Sequence, residues 1–250
     1  MNSSQPLAVL VHGAWHDEHC WAGVHAQLAR RRTRSASLTL PSTDPGRELP
    51  GFADDVAAVT TLIESIDRNV ILCGHGYGGM VISEAGNHAR VTRLVYLAAF
   101  CPLPGQRVID QSIAPPAEPF AVRQSGDGRM TVTRRLAARR FYGDLDRATA
   151  SRLASRLLPS TAAIHHARSD NPAWMTKPTT YVLCKRDRVL DRHRSRRVAE
   201  QVVRTQLAWG WADDHVITLG TGHCPFYSAP ELVADAVVGR SPLLPPHRWH

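Results

Sequence analysis

The chain has 250 residues and a formal net charge of +8, from 30 Lys and Arg residues against 22 Asp and Glu residues. A hydrophobic share of 43% with 21% charged residues is typical of a globular protein and excludes intrinsic disorder, and the length suits one large α/β domain or two small ones. No apolar stretch approaches the length of about 18 residues that a transmembrane helix needs. The basic residues are nearly all arginines scattered along the chain, whereas a nucleic-acid-binding surface concentrates them among aromatic residues, so nucleic acid is not an expected partner.

The cysteines and the first residues predict a cytoplasmic protein. The segment from Met1 to Pro6 is polar and uncharged, and it lacks the basic and apolar regions of a signal peptide. The cysteines are odd in number and widely spaced, without a Cys-x-x-Cys pair, so we expect reduced thiols and neither a disulfide framework nor a zinc site. They are Cys20, Cys73, Cys101, Cys184 and Cys224.

Apolar runs alternate with helical stretches through the first part of the chain. In residues 51–65, for example, Phe52, Val56 and Val59 recur at helical spacing. The alternation predicts strands over 7–11, 36–40, 70–73 and 93–100, and helices over 21–32, 51–65 and 80–88.

The pattern changes between Phe100 and Thr180, where prolines and a polar turn with Gly126 and Gly128 precede two short helices. The predicted helices cover 134–140 and 147–157. Beyond this segment the alternation resumes, with strands over 180–184 and 214–219, helices over 194–204 and 230–238, and a loosely held tail over 241–250.

Alternating strands and helices predict the α/β class, with a mostly parallel sheet flanked by helices. We expect residues 1–103 and 178–250 to form the core of this fold. Residues 104–177 are predicted to form an inserted helical lid over the strand ends.

A glycine-rich turn lies between the strand predicted over 70–73 and the helix that follows it. Its sequence is Cys73-Gly74-His75-Gly76-Tyr77-Gly78-Gly79. A strand, a sharp glycine turn and a helix are the context of the nucleophile elbow G-x-S-x-G, whose small residues let the helix approach the strand closely. The central position of this motif is Gly76.

This turn and four other segments together resemble the α/β-hydrolase superfamily, and within it the small esterases similar to plant methylesterases and hydroxynitrile lyases. The resemblance extends from Leu7 to Val238. The other segments are Leu10-Val11-His12-Gly13-Ala14-Trp15, Leu94-Val95-Tyr96-Leu97, Phe141-Tyr142-Gly143-Asp144 and Gly220-Thr221-Gly222-His223.

The resemblance implies a role for each matching residue. Gly76 occupies the position of the nucleophilic serine, Asp187 matches the acid and His223 matches the base. The backbone N–H groups of Tyr77 and Ala14 match the donors of the oxyanion hole. Asp187 and His223 both follow predicted strands, at the sheet edge where such folds place their chemistry.

Further residues are expected around the substrate. His12, Trp15 and Cys101 are assigned to the substrate pocket, although a structural thiol is the plainer interpretation of Cys101. The pair His165 and His166 in the predicted lid either touches substrate or is merely solvated, and the sequence does not decide between the two.

Two departures from the family pattern direct the functional hypothesis. Glycine has no hydroxyl, so no acyl-enzyme can form at Gly76. Cys224 stands where the cyanogenic lyases have a lysine after the catalytic histidine, so cyanohydrin cleavage loses support. We therefore expect an enzyme in which the His223–Asp187 dyad performs acid–base catalysis without covalent attack. The reaction would be elimination, isomerisation, retro-aldol cleavage or cyclisation of a small apolar carbonyl compound, such as a secondary metabolite.

Three alternatives stay open at the level of sequence. His223 can activate water for direct ester hydrolysis, Gly76 can be a deliberate or accidental loss of a catalytic serine, and the pocket can belong to a ligand-binding protein without catalysis. No metal or organic cofactor is implied. The expected partner is a small-molecule substrate, with no membrane, and a homodimer is an open alternative.

Overall fold

A six-stranded parallel sheet forms the centre of the structure, a computed structural model that describes residues 5–111, 122–211 and 215–240. In spatial order its strands are Val216–Leu219, Thr179–Cys184, Val91–Ala99, Val70–Gly76, Leu7–Val11 and Ser35–Ser37, and every neighbouring pair is parallel. The predicted α/β-hydrolase fold class is confirmed. The strands are β1 (Leu7–Val11), β2 (Ser35–Ser37), β3 (Val70–Gly76), β4 (Val91–Ala99), β5 (Gln106–Arg107), β6 (Val122–Gln124), β7 (Arg129–Val132), β8 (Ser160–Thr161), β9 (Arg168–Ser169), β10 (Thr179–Cys184) and β11 (Val216–Leu219).

Helices cover both faces of this sheet, and consecutive strand residues alternate between two apolar layers. Val9 and Val11 pack with the helices Phe52–Glu64, Gly78–Ala85 and Arg192–Ala208, whereas Ala8 and Leu10 pack with the helices Ala22–Arg30 and Pro230–Val238. The helices are α1 (Ala22–Arg30), α2 (Phe52–Glu64), α3 (Gly78–Ala85), α4 (Val108–Gln111), α5 (Arg134–Arg140), α6 (Arg147–Ala154), α7 (Arg192–Ala208), α8 (Pro225–Ser228) and α9 (Pro230–Val238). No helix among the described residues is long and apolar enough to cross a bilayer.

Several elements begin or end away from their predicted bounds. The strand predicted over 36–40 ends at Ser37, because the backbone N–H of Leu40 donates to the His12 ring and not to a neighbouring strand. The strand predicted to stop at Cys73 continues to Gly76. Helix α7 begins before residue 194, because the Asp191 side chain accepts a hydrogen bond from the backbone N–H of Arg194 and caps its first turn, and it continues past residue 204 to Ala208. Asp214 and the predicted tail over 241–250 lie outside the described residues.

The segment 104–177 contains strands that the sequence did not predict. Strands β6, β7 and β8 form a small antiparallel sheet, and β5 pairs with β9. The predicted polar turn joins β6 to β7, where Gly128 has a φ of +78° that glycine adopts without strain. Helices α5 and α6 pack, through Ala137 and Leu153, against the apolar layer that also holds α1 and α9. The assignment of 104–177 as a lid stays a prediction.

Candidate active site

Three chain segments meet at the carboxyl edge of the parallel sheet. β3 ends at Gly76, Asp187 follows the end of β10, and His223 follows the end of β11. Loops after neighbouring parallel strands converge at one edge of a sheet, which is why residues far apart in sequence become neighbours here.

His223 and Asp187 form a hydrogen-bonded pair. His223 Nδ1 lies 2.9 Å from Asp187 Oδ2, and the two side chains are only 5% and 6% exposed. The other carboxylate oxygen, Oδ1, accepts hydrogen bonds from the backbone N–H groups of Val189 (2.7 Å) and Leu190 (3.0 Å). Because the ionised carboxylate only accepts, it places the proton of a neutral His223 on Nδ1 and leaves a lone pair on Nε2.

Neighbouring side chains hold the loop that carries His223. The His75 Nε2–H group donates to the backbone carbonyl of His223 at 3.0 Å, and the Phe141 ring stacks on the imidazole with centroids 5.7 Å apart. Asp144 Oδ2 accepts from the backbone N–H of Gly222 at 2.6 Å and from the Ser228 hydroxyl at 2.8 Å. None of these contacts follows from a sequence motif, and the only signal for Asp144 was its place in the Phe-Tyr-Gly-Asp segment.

Gly76 has the backbone of an elbow. Its φ of +52° lies in the left-handed region, which glycine adopts more easily than other residues. A Cβ built on Gly76 would lie 3.8 Å from His223 Nε2 and 3.6 Å from Gly13 Cα, both ordinary contact distances. The position therefore has room for a small side chain directed at the imidazole. By contrast, a Cβ on Gly78 would lie 2.5 Å from the Val11 carbonyl oxygen, so that position accepts glycine alone.

A cavity of about 70 Å³ lies between the elbow, His223 and the 104–177 segment. A cavity needs about 10–15 Å³ of such volume to hold one water molecule, so this one has room for several water molecules or for a small organic molecule. Most of its lining is apolar. The core contributes Ala14, Trp15, Tyr77 and Leu190 among others, and the 104–177 segment contributes Val108, Val122, Phe141, Ile164 and His165.

Two buried histidines near the cavity are held neutral. Burial lowers the pKa of His12 to about 4 and the pKa of His16 to about 3. His12 donates from Nδ1 to the Gly13 carbonyl (2.8 Å) and accepts the Leu40 N–H on Nε2 (2.9 Å). His16 donates to the Ala14 carbonyl (3.1 Å) and accepts from the Tyr142 hydroxyl (3.0 Å). Both rings thus use both nitrogens to hold the loop after β1.

The structure brings most of the predicted site residues together, but not all of them. Ala14, Trp15, Gly76, Tyr77 and His223 line the cavity, with Asp187 behind His223. Trp15 has a φ of +65°, and its indole N–H donates to the Met130 carbonyl at 3.2 Å.

Two residues assigned to the pocket are not among those that line this cavity. His12 is fully buried, with its ring engaged by the Gly13 and Leu40 backbone. Cys101 is also buried and lines a separate groove beside Tyr181 and Arg194, and burial raises the pKa of its thiol well above the usual value. Among the described residues, no three His, Cys, Asp or Glu side chains converge as a metal site requires.

Comparisons with known proteins cover almost the whole chain. The model of the alpha/beta hydrolase family matches residues 8–236. A probable hydrolase of Phoma sp. is 25% identical over 243 residues, which are 94% of this chain and 97% of that protein. An extracellular alpha/beta-hydrolase from a Paenibacillus species, described as a structural and functional homologue of tobacco salicylic acid binding protein 2, has a TM-score of 0.78 at 21% identity and covers 95% of this chain and 100% of its own. A methylesterase protein from Arabidopsis has a TM-score of 0.71 at 20% identity, with 93% of this chain and 97% of its own covered.

Proposed function

Because the chain belongs to the alpha/beta hydrolase family but has glycine at the elbow, we propose that it is an enzyme that moves protons without covalent attack. The hydrogen-bonded pair of His223 and Asp187, beside an apolar cavity and a residue without a hydroxyl, carries this proposal. The substrate would be a small, largely apolar carbonyl compound, and the reaction an elimination, isomerisation, retro-aldol cleavage or cyclisation.

In the proposed step, His223 is the general base. Its Nε2 removes a proton from the carbon next to the substrate carbonyl, and the electron pair of the broken C–H bond moves onto the carbonyl oxygen as an enolate. Asp187 stabilises the resulting imidazolium and holds its orientation through the 2.9 Å hydrogen bond. The proton then returns to carbon for isomerisation, or passes to a leaving group for elimination.

The enolate oxygen needs hydrogen-bond donors that are in place before the reaction. We assign this task to the backbone N–H groups of Tyr77 and Ala14, because both residues line the cavity and flank the elbow and the loop after β1. The family resemblance assigns the same two groups to an oxyanion hole. An apolar cavity strengthens such interactions because little water competes for them.

Proton exchange at the α-carbon of a simple ketone tests the proposal directly. We expect the protein to accelerate deuterium uptake from D2O by 2-pentanone, measured by NMR, and we expect His223→Ala to lose about 10²–10⁴-fold of this acceleration. His166→Ala is the matched control, because His166 is exposed and does not line the cavity. Full exchange in His223→Ala, or no acceleration by the unaltered protein, would contradict the proposal.

Direct hydrolysis is the second candidate function. The relatives named hydrolase and methylesterase favour it, and the room beside Gly76 is next to His223 Nε2, where a water can be deprotonated. In that case the protein would hydrolyse a short ester without burst kinetics and without an acylated form of the protein that mass spectrometry can detect.

A further inference from the structure

His165 differs from the other histidines around the cavity. It lies in the 104–177 segment beside Trp15, and the centroids of the two rings are 6.1 Å apart. Its Nε2 is buried and has no hydrogen-bond partner among the described residues, although the residue lines the cavity. A buried polar atom without a partner is costly and calls for an explanation.

Each of the other histidines that line the cavity has at least one ring nitrogen in a hydrogen bond. His16 and His223 are engaged by the Ala14 carbonyl, the Tyr142 hydroxyl and Asp187. His75 also has an unpartnered nitrogen, Nδ1, but it packs on Gly13, where a Cβ would lie only 2.8 Å from it. His165 Nε2 is therefore the nitrogen that is both unpartnered and at the wall contributed by the 104–177 segment.

We propose that His165 Nε2 binds a second polar group of the substrate, remote from the carbon on which His223 acts. This inference rests on the proposed function and names its substrate class, a hydroxy ketone or a diketone in place of a simple ketone. The reacting carbonyl lies at the elbow, and the second oxygen lies towards His165, with the apolar side chains between them in contact with the carbon skeleton.

The electrostatics of His165 suit an uncharged partner. Burial lowers its pKa, and the neighbouring His166 lowers it further, so the ring is neutral near pH 7. A neutral imidazole nitrogen accepts from a hydroxyl in one tautomer and donates to a carbonyl in the other. An anionic group gains no ion pair from such a ring, which favours a hydroxyl or a ketone over a carboxylate.

Two isosteric probes isolate this single hydrogen bond. 4-Hydroxy-2-butanone and 2-pentanone share a methyl ketone and differ only in a terminal hydroxyl against a methyl group. Their dissociation constants, measured by NMR titration, give a preference ratio for each protein variant. We compare the unaltered protein, His165→Phe, His165→Gln and the matched control His166→Phe, whose site is exposed.

We expect His165→Phe to shift the preference by about tenfold towards 2-pentanone, the size expected for one lost hydrogen bond. His165→Gln, which retains donor and acceptor atoms, should restore most of the preference for the hydroxyl compound, and His166→Phe should leave the ratio unchanged. If His165→Phe does not unfold cooperatively on heating, His165→Leu against His165→Gln provides the same comparison. An unchanged ratio in a folded Phe or Leu variant overturns the assignment.

Deuterium exchange separates this inference from the proposed function. 2-Pentanone has no polar group for His165, so the acceleration of its exchange should survive in His165→Phe and fall by about 10²–10⁴-fold in His223→Ala. A preference ratio that depends on His165, in a protein that exchanges no ketone proton, would support the binding role and reject the catalytic one. Ketone exchange by a protein whose preference ratio does not depend on His165 would support the catalytic role and reject the binding role.

Discussion

The elbow after β3 and the loops after β10 and β11 differ although they lie at one edge of the same sheet. The elbow has a left-handed backbone at Gly76, with a φ of +52°, and no side chain at that residue that can attack a substrate. The loops hold His223 and Asp187 in a 2.9 Å hydrogen bond, and Val189 and Leu190 donate to the same carboxylate. The comparison separates two requirements, since covalent catalysis needs both regions whereas proton transfer needs the dyad and a donor for the oxygen.

The largest expected effect concerns the elbow. Without a hydroxyl at residue 76, turnover of p-nitrophenyl acetate should fall short of a serine hydrolase by about 10⁶-fold, the loss measured when a nucleophile is removed. Neither burst kinetics nor labelling by a fluorophosphonate should occur. Mass spectrometry of the treated protein checks this, and a label on a residue near 76 would show that another nucleophile serves.

The second prediction concerns the loops. In Asp187→Asn, the amide oxygen should keep the Oδ1 position, because the N–H groups of Val189 and Leu190 point at it. The NH2 group then faces His223 Nδ1 and forces its proton onto Nε2, which removes the base. Ketone exchange should fall by about 10²–10⁴-fold. Binding of 2-pentanone should be unaffected, and full exchange in this variant would refute the role of Asp187.

The third prediction concerns how stability depends on pH. On the elbow side of the site, His12, His16 and His75 are buried and neutral. Their pKa values are lowered by burial, to about 4 for His12 and about 3 for His16. Below about pH 6.5 these histidines become protonated in the unfolded chain but stay neutral in the folded protein. The free energy of unfolding should therefore fall as the pH drops, by about 1.4 kcal/mol per pH unit for each histidine.

Denaturant unfolding between about pH 7 and pH 5 measures this slope. His16→Gln should flatten it by one histidine's share, since an amide does not titrate. Asp55 acts in the opposite sense at the acidic end, because burial raises its pKa and the folded state binds that proton first. A slope unchanged by His16→Gln would show that His16 is not neutral in the folded protein.

The smallest expected effect restores a side chain to the elbow. Gly76→Ser and Gly76→Ala should each lower the free energy of unfolding by about 1–3 kcal/mol, because both must adopt a φ that glycine accepts freely. The Cβ itself finds ordinary contacts, so no clash adds to this cost. Only the serine variant should react with a fluorophosphonate and hydrolyse short esters. Variants as stable as the parent would contradict the elbow geometry at Gly76. A folded serine variant that the fluorophosphonate never labels would show that the elbow and the loop of His223 are not aligned for catalysis by a serine.

The site residues recognised in the sequence are those whose signal is local. Gly76 and its neighbours form a contiguous motif, and Asp187 and His223 each follow an apolar strand, so their placement at one sheet edge follows from parallel strand topology. His75 and Asp144 lie within recognised segments, and His165 was one of an undecided pair, but no local signal predicted what these three side chains contact. His75 contacts His223 across 148 residues, and Asp144 contacts Gly222 across 78.

The sequence alone determined the parallel sheet, the chain order of Gly76, Asp187 and His223, and the absence of a hydroxyl at residue 76. Periodicity and glycine turns report the local backbone, and the backbone of a parallel sheet brings the strand ends together. Tertiary packing decided the rest, namely the strands within 104–177, the absence of His12 and Cys101 from the lining of the cavity, and the unpartnered nitrogen of His165. Whether a buried polar side chain has a hydrogen-bond partner depends on which loops, distant in sequence, pack against it. That outcome follows from the packing of the whole chain and not from the local sequence.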